Sequence, residues 1–295
     1  MMMKVRIVSA VVAIALLFSA CGGGASSSSN GDGQSQEAPA KEVSIAYVDG
    51  WAEGVAMTHL ATQILQDQGY TVELKKAAVD MVFASLANGD VDVFMDVWLP
   101  VTHKNKVPKF GDKIEKVGVN YDQARIGLTV PKYVTLNSIE ELNASAEKFE
   151  GKIIGIESGA GTTEMTNNAI KDYDLKLEQV NSSTIAMLAE VKKAIDEQRW
   201  IVFTGWIPHW MFGRYELKFL EDSKLSYGPG ETVETWCHQG FKEADPVAAK
   251  FFEQFHLDES QMGDLLVKME EKGDKFEIAK QWIADHKELV DSWLK

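Results

Sequence analysis

"KIIGIESGAGTTEMTNNAIKDY", residues 152–173, opens with five residues that read as a buried strand, "KIIGI". A glycine-rich turn, "SGAGTT" (158–163), follows, and "EMTNNAIKDY" has the pattern of a helix. A strand that turns through glycines into a helix begins a βαβ unit. The chain completes that unit. "LEQV" (177–180) reads as a short strand. Ser182 or Ser183 is placed to cap a helix over "TIAMLAEVKKAIDEQ", and "WIVFTGW" (200–206) reads as a third strand. Ahead of it, Ser138 and Glu141 stand at capping-box spacing, which predicts a helix ending near Gly151.

The same series runs once before. "VSIAYV" (43–48) is a buried strand, and "EGVAMTHLATQILQDQG" is a helix with Ala56, Leu60 and Ile64 on one face and Gly69 as its stop. "YTVELKKA" is a strand, "DMVFASLANG" a short helix closed by Gly89, and "VDVFMDVW" a strand. Two βαβαβ units predict an α/β protein of two lobes, each with helices on both faces of its sheet. "ARIGLTVPKYV" (124–134) is expected to cross from the first lobe to the second, and "GETVETWCHQGF" (230–241) to cross back. The expected lobes are 41–130 with 233–295, and 131–232. The last fifty or so residues read as helices that pack on the first lobe.

The N-terminus belongs to a different problem. Lys4 and Arg6 precede an apolar run at 7–18 that is too short to span a bilayer, so 1–20 reads as a signal peptide. It ends "LFSAC", which resembles a bacterial lipobox with Cys21 as the lipidated residue. Residues 21–40 hold almost nothing apolar and read as a flexible tether. The expected location is therefore outside the cytoplasm, anchored to the cell membrane by lipid on Cys21. Lysine and arginine number 30 against 44 acidic residues; removing the signal leaves 28 against 44, a net charge of −16. That balance argues against nucleic acid and against direct docking on an anionic membrane surface. With Cys21 lipidated, Cys237 has no partner in the chain, so neither a disulfide nor a cysteine zinc site is expected.

In open α/β sheets a ligand sits beyond the carboxyl ends of the strands. Trp51, Trp98, the Gly161 turn and Trp206 all fall there, two from each lobe. One tryptophan in such a place is usually packing, and Trp200, Trp210, Trp282 and Trp293 read as structural. Three around one space make a cage that holds a quaternary ammonium by its attraction to the ring faces. The Gly161 turn offers the N–H groups of Gly161 and Thr162 at a helix N-terminus, a cradle for an anion. His103, five residues beyond Trp98, supplies one further donor. The implied ligand carries a cation and a carboxylate. No nucleophile motif, phosphate loop, dinucleotide fingerprint or metal-spaced His/Asp set is present, so no catalytic residue, metal or cofactor is expected.

"GWAEGVAMTHL" (50–60), "DVWLPVTHK" (96–104), "IGIESGAGTTEMT" (154–166) and "TGWIPHWMFGRYELKFLED" (204–222) resemble the glycine betaine-binding proteins of osmoprotectant ABC importers. The resemblance implies the hinged, two-lobed periplasmic-binding-protein fold (type II), with the ligand in the interlobe cleft. It implies a tryptophan prism of Trp51, Trp98 and Trp206, with His103 and the amides of Gly161 and Thr162 on the carboxylate. It also implies delivery of glycine betaine to an ABC permease, and the protein is expected to be a monomer. Choline, carnitine, proline betaine and dimethylsulfoniopropionate are alternative ligands, and an enzyme acting on quaternary ammonium compounds is the alternative from another functional class. Trp236 is expected to pack in the hinge, His209 to lie outside the ligand shell, and Glu53 either to face the cation or to serve its helix terminus.

Overall fold

The computed structural model describes residues 41–295, so the expected signal segment, the tether and Cys21 lie outside the described residues. The first βαβαβ series is β1 (Glu42–Tyr47), α1 (Ala52–Asp67), β2 (Thr71–Lys76), α2 (Val79–Asn88) and β3 (Val93–Leu99). After a short helix α3 (Val107–Phe110), the long strand β4 (Ile114–Pro131) leads to the second series. That series is β5 (Lys152–Ile154), α4 (Gly161–Asp172), β6 (Glu178–Val180), α5 (Thr184–Asp196) and β7 (Phe203–Ile207). A short helix α6 (Met211–Arg214) and strand β8 (Leu217–Phe219) follow, and then the returning strand β9 (Glu231–His238). The chain closes with α7 (Phe241–Ala244), α8 (Pro246–Gln254), α9 (Glu259–Met269), α10 (Lys275–Asp285) and α11 (Lys287–Trp293).

The strands run in the order β2-β1-β3-β9-β4-β7-β5-β6, with β8 beside β4. Pairing is parallel among β2, β1 and β3, and again among β6, β5 and β7. Each series thus places its first strand in the middle. The chain leaves that strand to one side and then returns to the other, so each lobe has a switch point, between β1 and β3 and between β5 and β7. Connecting helices diverge there and leave a crevice at the strands' carboxyl ends. The antiparallel pair β4 and β9 joins the halves: β9 pairs with β3 and β4, and β4 continues to pair with β7. These two strands carry the chain between lobes, as the sequence predicts, but β4 begins ten residues before the expected crossing.

Parallel strands covered on both faces must be apolar throughout, and β3 is buried over Val93–Trp98. Helices α9 and α10 lie against α1, and α8 lies against β4. Trp282 and Trp293 are buried there with their rings stacked 6.4 Å apart. Cys237 is a buried free thiol, and burial pushes it up to about 12. Among the described residues no helix is long and apolar enough to cross a membrane.

Two local expectations are corrected. Residues Ile139–Phe149 form a helix that ends near Gly151 as expected, but it is 3₁₀ and broken at Ser145, and the Ser138 side chain makes no cap. The Glu141 carboxylate instead accepts from the Asn137 N–H at 2.9 Å, one residue outside the expected box. Between the two candidate caps of α5, Ser183 is the one used; it accepts from the Ala186 N–H at 3.1 Å.

Candidate functional site

Trp51 follows β1 and is the N-cap of α1. Trp98 and Trp206 are each one residue short of the end of their strands, β3 and β7, rather than beyond it as the sequence suggests. All three indoles are buried and line one small cavity between the lobes. Glu53, Thr102, His103 and Ile126 line it with Trp51 and Trp98; Ile156, Ala160, Gly161 and Thr162 line it with Trp206. A wider groove of about 420 Å³ opens at the surface where Gly50 and Ala52 face Ile185, Lys192 and Arg214. None of its lining residues holds a buried polar atom without a partner, whereas three residues of the small cavity do: Trp51 (Nε1), His103 (Nε2) and Thr162 (Oγ1). Buried polar atoms are nearly always satisfied, so three orphans around one space mark a place where a polar ligand completes the bonding.

The five-residue interval from Trp98 to His103 has a local cause. The Trp98 N–H donates to His103 Nδ1 at 2.9 Å, and the His103 N–H donates back to the Trp98 carbonyl at 3.0 Å. A ring nitrogen that accepts carries no proton, so the proton of His103 is on Nε2, facing no protein partner. The ring is fully buried, and desolvation lowers its pKa to about 3. His103 is therefore a neutral donor of fixed tautomer. Its ring also stacks on Trp51, centroids 6.0 Å apart and planes 16° from parallel.

Helix α4 starts at Gly161 after Ala160, whose side chain cannot cap. The amides of Gly161 and Thr162 are first-turn N–H groups with no partner inside the helix. Gly161 is required by packing: a Cβ there would stand 2.2 Å from the Thr102 carbonyl oxygen of the opposite lobe. The lobes also touch where the Asn105 amide donates to Glu164 at 2.8 Å, and where Trp206 Nε1 donates to Glu53 at 2.9 Å.

Two carboxylates stand behind the indoles. Trp98 Nε1 donates to Asp96 Oδ1 at 2.7 Å, and Glu53 accepts from Trp206 as above. Both acids are almost completely buried. Burial, and for Glu53 the neighbouring Asp96 charge, pushes their pKa values up: Asp96 to about 7 and Glu53 well above the usual glutamate range. The site is thus electron-rich on one set of groups and donates hydrogen bonds from another.

Residues 41–285 match the family model for the substrate-binding domain of ABC-type glycine betaine transport systems, OpuAC. The chain belongs to this family. Over 150 residues it is 39% identical to the glycine betaine/carnitine transport binding protein GbuC of Listeria monocytogenes, an alignment spanning half of each protein. Lactococcal OpuAC, solved closed with glycine betaine, is 35% identical at a TM-score of 0.82; the match covers 86% of this chain and all of that one. An ABC-transporter choline binding protein, solved with choline, is 29% identical at a TM-score of 0.80, over 86% of this chain and 91% of that one. The two solved relatives share the fold of this chain.

Within this OpuAC-family frame, the structure brings Trp51, Trp98, Trp206, His103, Gly161 and Thr162 to one cavity. Trp236 does not line it. Its indole is half-buried on β9 and donates to Glu234 at 2.8 Å. His209 is also outside the cavity lining; it packs edge-on against Trp206 at 4.8 Å, and its Nδ1 accepts from the Met211 N–H. Asp96 lies outside the set of site residues expected from the sequence. The signal was available, because residues two apart on a strand share a face, and Asp96 precedes Trp98 by two.

Proposed function

We propose that this protein captures glycine betaine outside the cytoplasm and hands it to an ABC permease. The carrying observation is that three indole faces, a neutral histidine donor and an uncapped helix N-terminus line one interlobe cavity. The faces of Trp51, Trp98 and Trp206 hold the trimethylammonium group, at about 0.5–2 kcal/mol per face. The amides of Gly161 and Thr162 and the Nε2–H of His103 hold the carboxylate. Proline betaine, carnitine and dimethylsulfoniopropionate fit the same plan. Choline fills the cage and leaves the donors unused. The protein binds and releases its ligand without chemical change, and it acts as a monomer with no cofactor. Lobe 1 is 41–130 with 233–295 and lobe 2 is 131–232, and Cys21 carries the lipid that tethers them through residues 21–40.

Titration calorimetry of the form lacking residues 1–21 tests this. Glycine betaine binds with micromolar or tighter affinity, about −8 kcal/mol or better, and choline binds much more weakly. Equal binding of the two would keep the cage and discard the donor assignment. No binding of either would mean that the three tryptophans are packing or that the ligand is larger.

His103→Ala separates the two ends of the ligand. A hydrogen bond to a charged group is worth about 1.5–3 kcal/mol, so betaine affinity falls roughly 10- to 100-fold. Choline affinity changes by less than about threefold, since choline offers no carboxylate to lose. A large loss with choline would contradict the assignment.

A further inference from the structure

Glu53 lines the cavity, and Asp96 stands behind it. Asp96 packs on the first turn of α1, beside Glu53, because Gly54 has no side chain: a Cβ at 54 would lie 2.2 Å from Asp96 Oδ2. That oxygen is buried and has no hydrogen-bond partner. Among the described residues, no lysine, arginine or histidine forms an ion pair with either acid. The charged and titratable groups nearby are otherwise engaged. On the loop after β3, His103 is neutral, and Lys106 pairs with Asp80 at the surface. On β9, Glu231 accepts from the N–H and O–H of Thr102. On β4, Arg125 lies over the ring of Phe219, 4.7 Å from its centre. After β7, His209 is buried and neutral. On α4, Glu164 is exposed and bonded to Asn105. Two adjacent buried carboxyl groups without a counter-ion cannot both stay ionised at low cost. The group that can balance them is a cation held by the tryptophans they orient.

We propose that Glu53, backed by Asp96, is a specificity-determining residue that surrenders a proton as a quaternary cation seats in the cage. Before binding, the pair keeps a proton on a carboxyl oxygen. The incoming positive charge stabilises the second carboxylate, the carboxyl O–H bond breaks, and the proton leaves to a base of the bulk buffer. The cavity gains the cation's charge as the pair gains one negative charge. Selection is thus for a full positive charge, beyond the size and shape that the indoles impose. By linkage, a ligand that expels a proton binds more weakly as pH falls through the range in which the free pair is protonated.

This inference rests on the betaine reading, and one experiment separates their failures. Glycine betaine is titrated into the protein at pH 6.5 in PIPES and in ACES, buffers of smaller and larger ionisation heat. The observed heats should differ in the sense of proton release, on the order of half a proton or more per ligand. The dissociation constant should rise by up to about tenfold per pH unit as pH is lowered below 7. Glu53→Gln keeps an oxygen for the Trp206 N–H and abolishes the buffer dependence while weakening betaine; Asp96→Asn reduces it. The uncharged-head isostere 3,3-dimethylbutanoate releases no proton. Equal heats in both buffers between pH 5.5 and 7.5 would overturn the inference and leave betaine binding intact. Proton uptake would overturn it too, and would point to His103. No heat with betaine in any buffer would overturn the underlying reading.

Discussion

Trp98→Ala should lower glycine betaine affinity by about two to three orders of magnitude. Two losses combine. One face of the cage disappears, at up to about 2 kcal/mol for a desolvated cation. The indole N–H that meets Asp96 Oδ1 at 2.7 Å also disappears, leaving a buried carboxyl group without a partner at about 1–3 kcal/mol. Together they reach about 3–4 kcal/mol, and each 1.4 kcal/mol is tenfold. Trp98 is only 3% exposed, so the same change costs about 3–5 kcal/mol of fold stability. Thermal unfolding must therefore accompany calorimetry. Trp98→Phe is the control: it keeps an aromatic face and drops only the N–H, for a loss nearer tenfold. With choline, Trp98→Ala costs far more than His103→Ala; with betaine the two costs approach each other. A loss below tenfold for Trp98→Ala in a folded protein would remove Trp98 from the cage.

The parts of the molecule that the sequence discloses are those with local causes. The strand–helix alternation is legible because parallel strands buried on two faces read as apolar runs, as in "VDVFMDVW" and "KIIGI". The positions of Trp51, Trp98 and Trp206 near strand ends follow, although Trp98 and Trp206 lie one residue inside their strands because the strands run on past the tryptophans. His103 was legible as a donor, but the reason for its tautomer was not. That reason is the reciprocal pair of bonds between residues 98 and 103, which needs the turn geometry. The helix at 139–149 is legible, but its 3₁₀ character is not, because a capping-box pattern specifies a start and says nothing of the break at Ser145. For Glu53 the sequence does not separate a cation contact from a helix-dipole role, because its partners, Trp206 and Asp96, are 153 and 43 residues away. Contacts made by two lobes meeting are the least legible, since neither lobe's sequence pattern records the other.

Gly161→Ala tests that meeting directly. In the sequence, Gly161 reads as a residue that lets backbone amides approach an anion. In the structure it has a second reason to lack a side chain. Its missing Cβ would stand 2.2 Å from the Thr102 oxygen, 2.6 Å from Thr102 Cγ2 and 2.9 Å from the Thr102 carbonyl carbon. Two of those atoms are backbone, on the loop held in place by Glu231, so no rotamer change relieves the clash. The lobes must part by a fraction of an ångström or more. Parting pulls the amides of Gly161 and Thr162 away from a carboxylate bridged to His103, and pulls Trp206 away from Glu53. Overpacking of this kind costs about 1–3 kcal/mol, so betaine affinity should fall roughly 10- to 100-fold. Fold stability should move the other way. Residue 161 is the first residue of α4 and its φ is not left-handed, so alanine suits the helix better than glycine by up to about 1 kcal/mol. A ligand-free Tm that holds or rises, with affinity lost, assigns the clash to lobe closure. Small-angle scattering should then show betaine compacting the wild type and leaving the variant unchanged. A Tm that drops would place the clash inside the fold itself. Unchanged affinity would mean that the lobes close on the ligand without bringing Thr102 against Gly161.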